Sequence, residues 1–274
     1  MSSTNPAPEA NAALEISCDV HTVLFDMDGT LIDSTPAVNA TWRETCDRFG
    51  LDYDEVLKTC HGWRTVENLT RFVPSIPAAD MPKEVAIFEG RISEIAQDCL
   101  DGKRQDGRID AMPGAKELLR DISAGRSESP MRRAGWAIVT SATAAYAHVG
   151  FASSQVSAPP EIFITGDICA RGKPDPFPYL LGAEKALAPP QQCVVVEDAP
   201  AGVRSGKASG ARVLGLCTTH SERSMWEAGA DWVVEDLRDV SAKWQGDGPA
   251  AKLTLRIASK AAPTDVTQTT GDKA

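Results

Sequence analysis

The feature that most constrains the fold is a short apolar run that ends in two closely spaced carboxylates. Val23, Leu24 and Phe25 are followed by Asp26-Met-Asp28-Gly-Thr-Leu. A run this short and this rich in β-forming residues predicts the end of a buried strand, and the glycine allows a sharp turn there. Because side chains alternate along a strand, Asp26 and Asp28 are expected to share one side. Ligands bind at this carboxyl edge in open α/β sheets.

The two carboxylates also constrain the chemistry. Like charges at this spacing repel each other unless a cation or a proton lies between them. The pair suits a reaction in which one carboxylate is the nucleophile, the other is an acid and base, and a hard metal ion neutralises both. Since Asp-Gly is an ordinary turn pair, a purely structural strand ending fits D-x-D-G equally well.

The remainder of the chain changes pattern twice. Apolar residues recur at helical spacing from Pro36 to Leu100, and none of this stretch has a strand pattern. From Met112 onward, short apolar runs alternate with helical segments, which is typical of a parallel sheet covered on both faces. These runs are residues 136–140, 162–165, 194–196, 212–216 and 232–234.

We therefore predict an α/β fold with a doubly wound parallel-sheet core that is interrupted by an all-helical insert. The predicted core comprises residues 18–34 and 112–245, and the insert comprises residues 35–111. Residues 246–260 are predicted to form a late edge strand and a loop. The two ends, residues 1–17 and 261–274, are rich in small and polar residues and are predicted to be disordered tails.

Charge and composition exclude several classes of partner. The net charge of −10 argues against nucleic acid or an anionic membrane as the main partner. No apolar run approaches the roughly 20 residues that span a bilayer. The seven cysteines include no C-x-x-C pair and indicate reduced thiols, so we expect a cytoplasmic protein, most simply a monomer.

Three later strand ends carry polar residues that suit phosphate chemistry. Ser141 and Ala142 offer a hydroxyl and backbone amides at an expected helix start, where anions bind, although a simple helix cap would look the same. Lys173 lies in a proline-flanked turn and could be either a fixed charge for phosphate or a solvated lysine. Glu197 and Asp198 end an apolar strand, where two acids are costly unless a cation such as Mg²⁺ is bound. Asp198 could also cap the next helix.

Taken in order, the four segments resemble the four motifs of the haloacid-dehalogenase-like (HAD) hydrolases, and the resemblance extends from about Asp19 to Asp236. It implies a Rossmann-like HAD core whose helical insert is a cap over the active site. It also implies that Asp26 is the nucleophile that forms an aspartyl-phosphate. Asp28 would protonate the leaving oxygen and then activate water.

The same resemblance implies the binding groups. Ser141, the backbone at Ala142, and Lys173 would hold the phosphoryl group. Mg²⁺ would be bound by the side chain of Asp26, the backbone carbonyl of Asp28, the side chain of Asp198 and, directly or through water, Glu197.

Longer strings, among them HGWRT, GKPDP and VVVEDAPAGVRSGKASGA, resemble the 2-deoxyglucose-6-phosphate and glycerol-3-phosphate phosphatase group. In such a cap, His61, Trp63 and Arg64 would select the substrate. A packed helix-turn-helix corner with a buried Trp63 is the structural alternative. The resemblance implies a Mg²⁺-dependent phosphatase for a small sugar or polyol phosphate. A sugar phosphomutase of the same fold and a non-catalytic metabolite-binding member stay open, whereas Asp28 disfavours a dehalogenase.

Overall fold

The computed structural model describes residues 14–124, 135–246, 251–263 and 265. The strands are β1 (Leu14–Val20), β2 (Thr22–Phe25), β3 (Ile32–Asp33), β4 (Asp110–Ala111), β5 (Trp136–Val139), β6 (Phe163–Ile164), β7 (Cys193–Glu197), β8 (Arg212–Leu216), β9 (Trp232–Val234), β10 (Val240–Gln245) and β11 (Lys252–Ser259). The helices are α1 (Thr35–Phe49), α2 (Tyr53–Leu57), α3 (Thr65–Phe72), α4 (Met81–Leu100), α5 (Ala115–Ala124), α6 (Ala144–Ser154), α7 (Phe177–Lys185), α8 (Pro200–Ala208) and α9 (Glu222–Glu227).

A six-stranded parallel sheet forms the core, in the order β6-β5-β2-β7-β8-β9. Strand β2 lies near its middle, where Phe25 is the register partner of both Ile138 and Val196. Val23 and Phe25 pack into one hydrophobic cluster and Leu24 into a second one. Both faces of this strand are therefore covered, as its uninterrupted apolar sequence predicts. The predicted doubly wound α/β core is confirmed.

The insert is helical and leaves the core at a narrow neck. The neck consists of β3, which precedes the insert, and β4, which follows it. These two strands pair antiparallel, with Ile32 opposite Ala111. Between them lie α1 to α4, including the short α2, which the sequence pattern did not predict. The ring of Trp42 packs on Phe88 and Phe72, at 4.6 and 5.9 Å between centroids. This buried aromatic group holds α1, α3 and α4 together as a cap.

The expected tail and edge strand are both wrong in part. Leu14–Val20 is a strand, because Ile16, Cys18 and Val20 alternate with polar residues and their side can pack against the core. It pairs antiparallel with β11, which also pairs with β10, so β11 is the central strand of a three-stranded sheet and not an edge. Residues 1–13, 247–250 and 266–274, which contain most of the predicted tails and the late loop, lie outside the described residues. Among the described helices, none has the length and apolar character to cross a membrane.

Candidate active site

A buried lysine of the third predicted segment joins the first and fourth segments. Nζ of Lys173 donates to Oδ1 of Asp26 at 2.5 Å and to Oε1 of Glu197 at 2.7 Å. It also donates to the backbone oxygen of Val139 at 3.0 Å, so its three donors all have partners. Lys173 is 1% exposed, so the alternative of a solvated loop lysine is wrong.

Glu197 is fixed from the core side. The hydroxyl of Tyr179 donates to its Oε1 at 2.7 Å, and the backbone N–H of Ala199 donates to its Oε2 at 3.2 Å. Gly202 lies directly behind the carboxylate, where a Cβ atom would be 1.7 Å from Oε1. The glycine is required for this approach, and Glu197 is packed to hold the lysine in place.

Asp198 faces the turn that follows Asp26. The hydroxyl of Thr30 donates to its Oδ1 at 3.1 Å, and the hydroxyl of Thr219 contacts its Oδ2. Gly29 has a φ of +84°, and a Cβ atom there would be 2.3 Å from Oδ2 of Asp198. The Asp-Gly turn thus has two functions, since it reverses the chain and lets Asp198 reach the end of β2.

The carboxylates of Asp26, Glu197 and Asp198 each have an oxygen within 4.8 Å of the others. Burial raises the pKa of Asp26; Lys173 opposes this shift, and the other two carboxylates add to it. Burial and the nearby Glu197 raise the pKa of Asp198 to about 7. Although burial lowers the pKa of Lys173, its two carboxylate partners raise it overall, so it stays charged. Three buried carboxylates around one ammonium leave an excess of negative charge and hard oxygen donors, which fits Mg²⁺.

Asp28 has a different environment from Asp26. Its Oδ1 accepts two hydrogen bonds of 2.6 Å, one from the hydroxyl of Ser34 and one from the hydroxyl of Tyr146. Burial raises the pKa of Asp28, and these two hydrogen bonds oppose the shift. Its side chain lies outside the cluster of three carboxylates. The paired aspartates therefore have separate hydrogen-bond partners.

Ser141 and Ala142 lie in the turn before α6. The helix begins at Ala144 with Thr143 as its N-cap residue, so the predicted helix start was placed too early. The hydroxyl of Ser141 donates to the backbone oxygen of Gly62 in the cap at 3.1 Å, and the backbone N–H of Ala142 donates to Thr140 Oγ1. Both residues line the cavity that Asp26 and Asp28 enter.

This cavity, of about 90 Å³, lies between the sheet edge and the cap. His61 and Trp63 line it, and Trp63 is 37% exposed, so it is not the buried corner residue of the structural alternative. Arg64 lines a neighbouring cavity instead. Its guanidinium is paired with Glu67 at 2.5 Å and donates to the backbone oxygen of Cys169 at 3.1 Å. The expected contact of Arg64 with substrate has no support in this arrangement.

Known proteins share both the sequence and the fold. The chain is 37% identical to hexitol phosphatase A of Escherichia coli over 82% of this chain and 95% of that protein. It is 35% identical to 2-deoxyglucose-6-phosphate phosphatase 1 of Saccharomyces cerevisiae, over 83% and 91% of the two chains. It is 33% identical to glycerol-1-phosphate phosphohydrolase 1 of the same yeast, over 82% and 86%. A hydrolase from Pseudomonas syringae has the same fold, with a TM-score of 0.66 at 24% identity over 80% of this chain and 95% of that one.

The sequence model of the haloacid dehalogenase-like hydrolases matches residues 20–210, which include all four segments that meet at the sheet edge. The predicted resemblance is confirmed: this chain belongs to the haloacid dehalogenase-like hydrolase family.

Proposed function

We propose that this phosphatase hydrolyses the phosphate monoester of a small sugar or polyol, with Mg²⁺, through an aspartyl-phosphate on Asp26. The observation that carries the proposal is the buried Lys173 that holds Asp26 at the floor of a cap-covered cavity, with Asp28 two residues away and held by its own donors. The relatives named for hexitol, 2-deoxyglucose-6-phosphate and glycerol-1-phosphate support this class of substrate.

In the first step an Asp26 oxygen attacks phosphorus, and the bond from phosphorus to the ester oxygen breaks. Asp28 gives its proton to that oxygen as the sugar or polyol leaves, and the raised pKa of this buried carboxyl favours the protonated starting form. In the second step Asp28 removes a proton from water, the water oxygen attacks phosphorus, and Asp26 is released with inorganic phosphate.

The other groups stabilise charge and geometry. Lys173 favours the ionised form of Asp26 and faces the negative charge that spreads over the phosphoryl oxygens. Ser141 and the backbone at Ala142 would bind those oxygens. Asp26, Asp198, the backbone carbonyl of Asp28 and, directly or through water, Glu197 would hold Mg²⁺. When bound, the metal supplies neutralisation of the charge on the phosphoryl group.

The test is phosphate release from sorbitol 6-phosphate, 2-deoxyglucose 6-phosphate and the glycerol phosphates, with Mg²⁺ and with EDTA. Asp26→Asn keeps the shape of the nucleophile and removes its nucleophilic charge, and Asp47→Asn on the exposed side of α1 is the matched control. We expect metal-dependent release that is lost in Asp26→Asn and kept in Asp47→Asn. No release from any ester by folded protein would refute the proposal. Conversion of a sugar phosphate to its isomer without free phosphate would show a mutase instead.

A further inference from the structure

One acidic side chain enters the active-site cavity from the cap. Glu89 of α4 is 3% exposed and lines the cavity together with Asp26 and Asp28. The hydroxyl of Thr65 donates to its Oε1 at 2.7 Å. From the core side, the backbone N–H of Thr143 donates to its Oε2 at 3.2 Å, and the Thr143 hydroxyl also contacts Oε2.

These contacts favour a charged carboxylate. Thr143 is the N-cap residue of α6, an 11-residue helix whose positive end therefore meets Glu89. A backbone N–H can only donate, so it requires an acceptor oxygen on the glutamate. Burial raises the pKa of Glu89, while the hydrogen bonds from Thr143 and Thr65 oppose that shift.

Within the described part of the chain, the lining of this cavity offers no lysine or arginine to offset the charge of Glu89. The cap contributes neutral groups such as Trp63, Thr65 and Asn68, which suit hydroxyl and C–H surfaces. Lys173 is already committed to Asp26 and Glu197 at the opposite, core end.

We propose that Glu89 is a specificity-determining residue that restricts this site to monophosphates whose remaining part carries no second anionic group. The inference rests on the proposed function and names its substrate class more narrowly. A second phosphate or a carboxylate on the substrate would face a like charge in a closed, water-poor cavity, where such repulsion is strong. The same repulsion disfavours a phosphomutase, because transfer of the phosphoryl group to another hydroxyl of a sugar phosphate produces a bisphosphate that this cavity must hold.

The experiment compares kcat/KM for esters that differ only in the charge of the far end. Suitable pairs are glycerol 3-phosphate with glycerate 3-phosphate, and sorbitol 6-phosphate with gluconate 6-phosphate. We expect the kcat/KM of the wild type to be at least about tenfold higher for the member that lacks the carboxylate. Glu89→Gln is expected to reduce that preference at least about fivefold, since the amide keeps the size of the side chain and removes the charge. Glu89→Asp, which retains the charge, is expected to keep the preference.

Glu94→Gln is the matched control, because Glu94 is an exposed carboxylate on the same helix. It is expected to leave the preference unchanged. An equal preference in wild type and Glu89→Gln, with phosphate release intact, overturns the role of Glu89 and leaves the proposed function standing. If the wild type hydrolyses both members of each pair equally well, the inference is overturned without any variant. Absence of phosphate release from every ester refutes the proposed function itself.

Discussion

Gly202 on α8 offers a direct test of how the core fixes the active-site lysine. Replacing a glycine by alanine inside a helix normally stabilises the helix by about 1 kcal/mol. Here the new Cβ would lie 1.7 Å from Oε1 and 1.9 Å from Cδ of Glu197, so the carboxylate has to move. Glu197 would then lose its hydrogen bonds with Lys173 and Tyr179, both 2.7 Å long.

The expected loss of stability follows from these contacts. Removing one partner of a buried ion pair costs about 3–5 kcal/mol, and the remaining contact of Lys173 with Asp26 favours the lower part of that range. After subtraction of about 1 kcal/mol for helix propensity, Gly202→Ala should destabilise the protein by about 2–3 kcal/mol. This corresponds to a fall in Tm of about 4–12 °C for a chain of this size class.

The assay is thermal unfolding in EDTA, together with phosphate release in Mg²⁺. Gly90→Ala is the matched control, because Gly90 is also a helical glycine and a Cβ atom there meets nothing within 4 Å. We expect Gly90→Ala to raise Tm by about 2–4 °C, since only helix propensity changes. An unchanged Tm and full activity in Gly202→Ala would refute the reasoning that Glu197 occupies a fixed position.

Four further perturbations follow from the site. Lys173→Met leaves the carboxylate cluster without its ammonium group and should reduce kcat/KM at least about 100-fold in the phosphate-release assay. Retention of more than a tenth of the wild-type activity would contradict the role of Lys173 in charge stabilisation. Burial raises the pKa of Asp198 to about 7, so protonated Asp198 contributes to the stability of the metal-free folded protein. This contribution is complete at pH values below the pKa of Asp198 in the unfolded chain and is lost as the pH rises through about 7. Mg²⁺ competes with this proton, so the increase in Tm on addition of Mg²⁺ should be larger above pH 7 than at acidic pH. The increase should be absent in Asp198→Asn. An increase that does not depend on pH would argue against Asp198 as a ligand. Trp63→Ala should raise KM several-fold with kcat nearly unchanged, because Trp63 belongs to the cap, whereas Asp26 and Asp28 belong to the core. A selective fall in kcat would contradict a role limited to substrate binding. Burial raises the pKa of the Cys60 thiol to about 12, so iodoacetamide at pH 8 should label this cysteine only after unfolding, as mass spectrometry would show.

The segments around Asp26, Ser141 and Glu197 of the candidate site were predictable because each directly ends an apolar run in the sequence. Asp26 ends β2, and Glu197 and Asp198 end β7, two neighbouring strands of one parallel sheet. Parallel strands bring their carboxyl ends to the same edge, so local pattern and sheet type together are enough to gather these residues. Lys173 needed the family resemblance in addition, since a loop lysine alone does not indicate a buried one.

Residues positioned by tertiary packing were missed, although one of them had a signal. Tyr146 and Tyr179 lie on helices whose rotation relative to the sheet is not encoded by local spacing. Glu89 follows Val85 by four positions and precedes Ile92 by three, so it interrupts a face of α4 that the sequence predicts to be apolar. A lone acid on such a face indicates a buried partner.

The placement of Arg64 differs from that of its sequence neighbours for a local reason. Its neighbours in the sequence, His61 and Trp63, line the active-site cavity. Arg64 is instead the N-cap residue of α3 and pairs with Glu67 three positions later. Residues three apart face each other on a helix, whereas residues one apart do not.

The three-stranded sheet has a consequence for how the chain is made. Leu14 and Ser259 are register partners, and β1 has β11 as its neighbour in that sheet. Ribosomes add about 5–20 residues per second, so the first strand leaves the ribosome roughly 12–50 s before its partner has been synthesised. During that time its backbone hydrogen-bonding groups are exposed, and an unpaired edge of this kind is where strands of different nascent chains associate. Translation speed over the last part of the coding sequence should therefore affect the yield of folded enzyme.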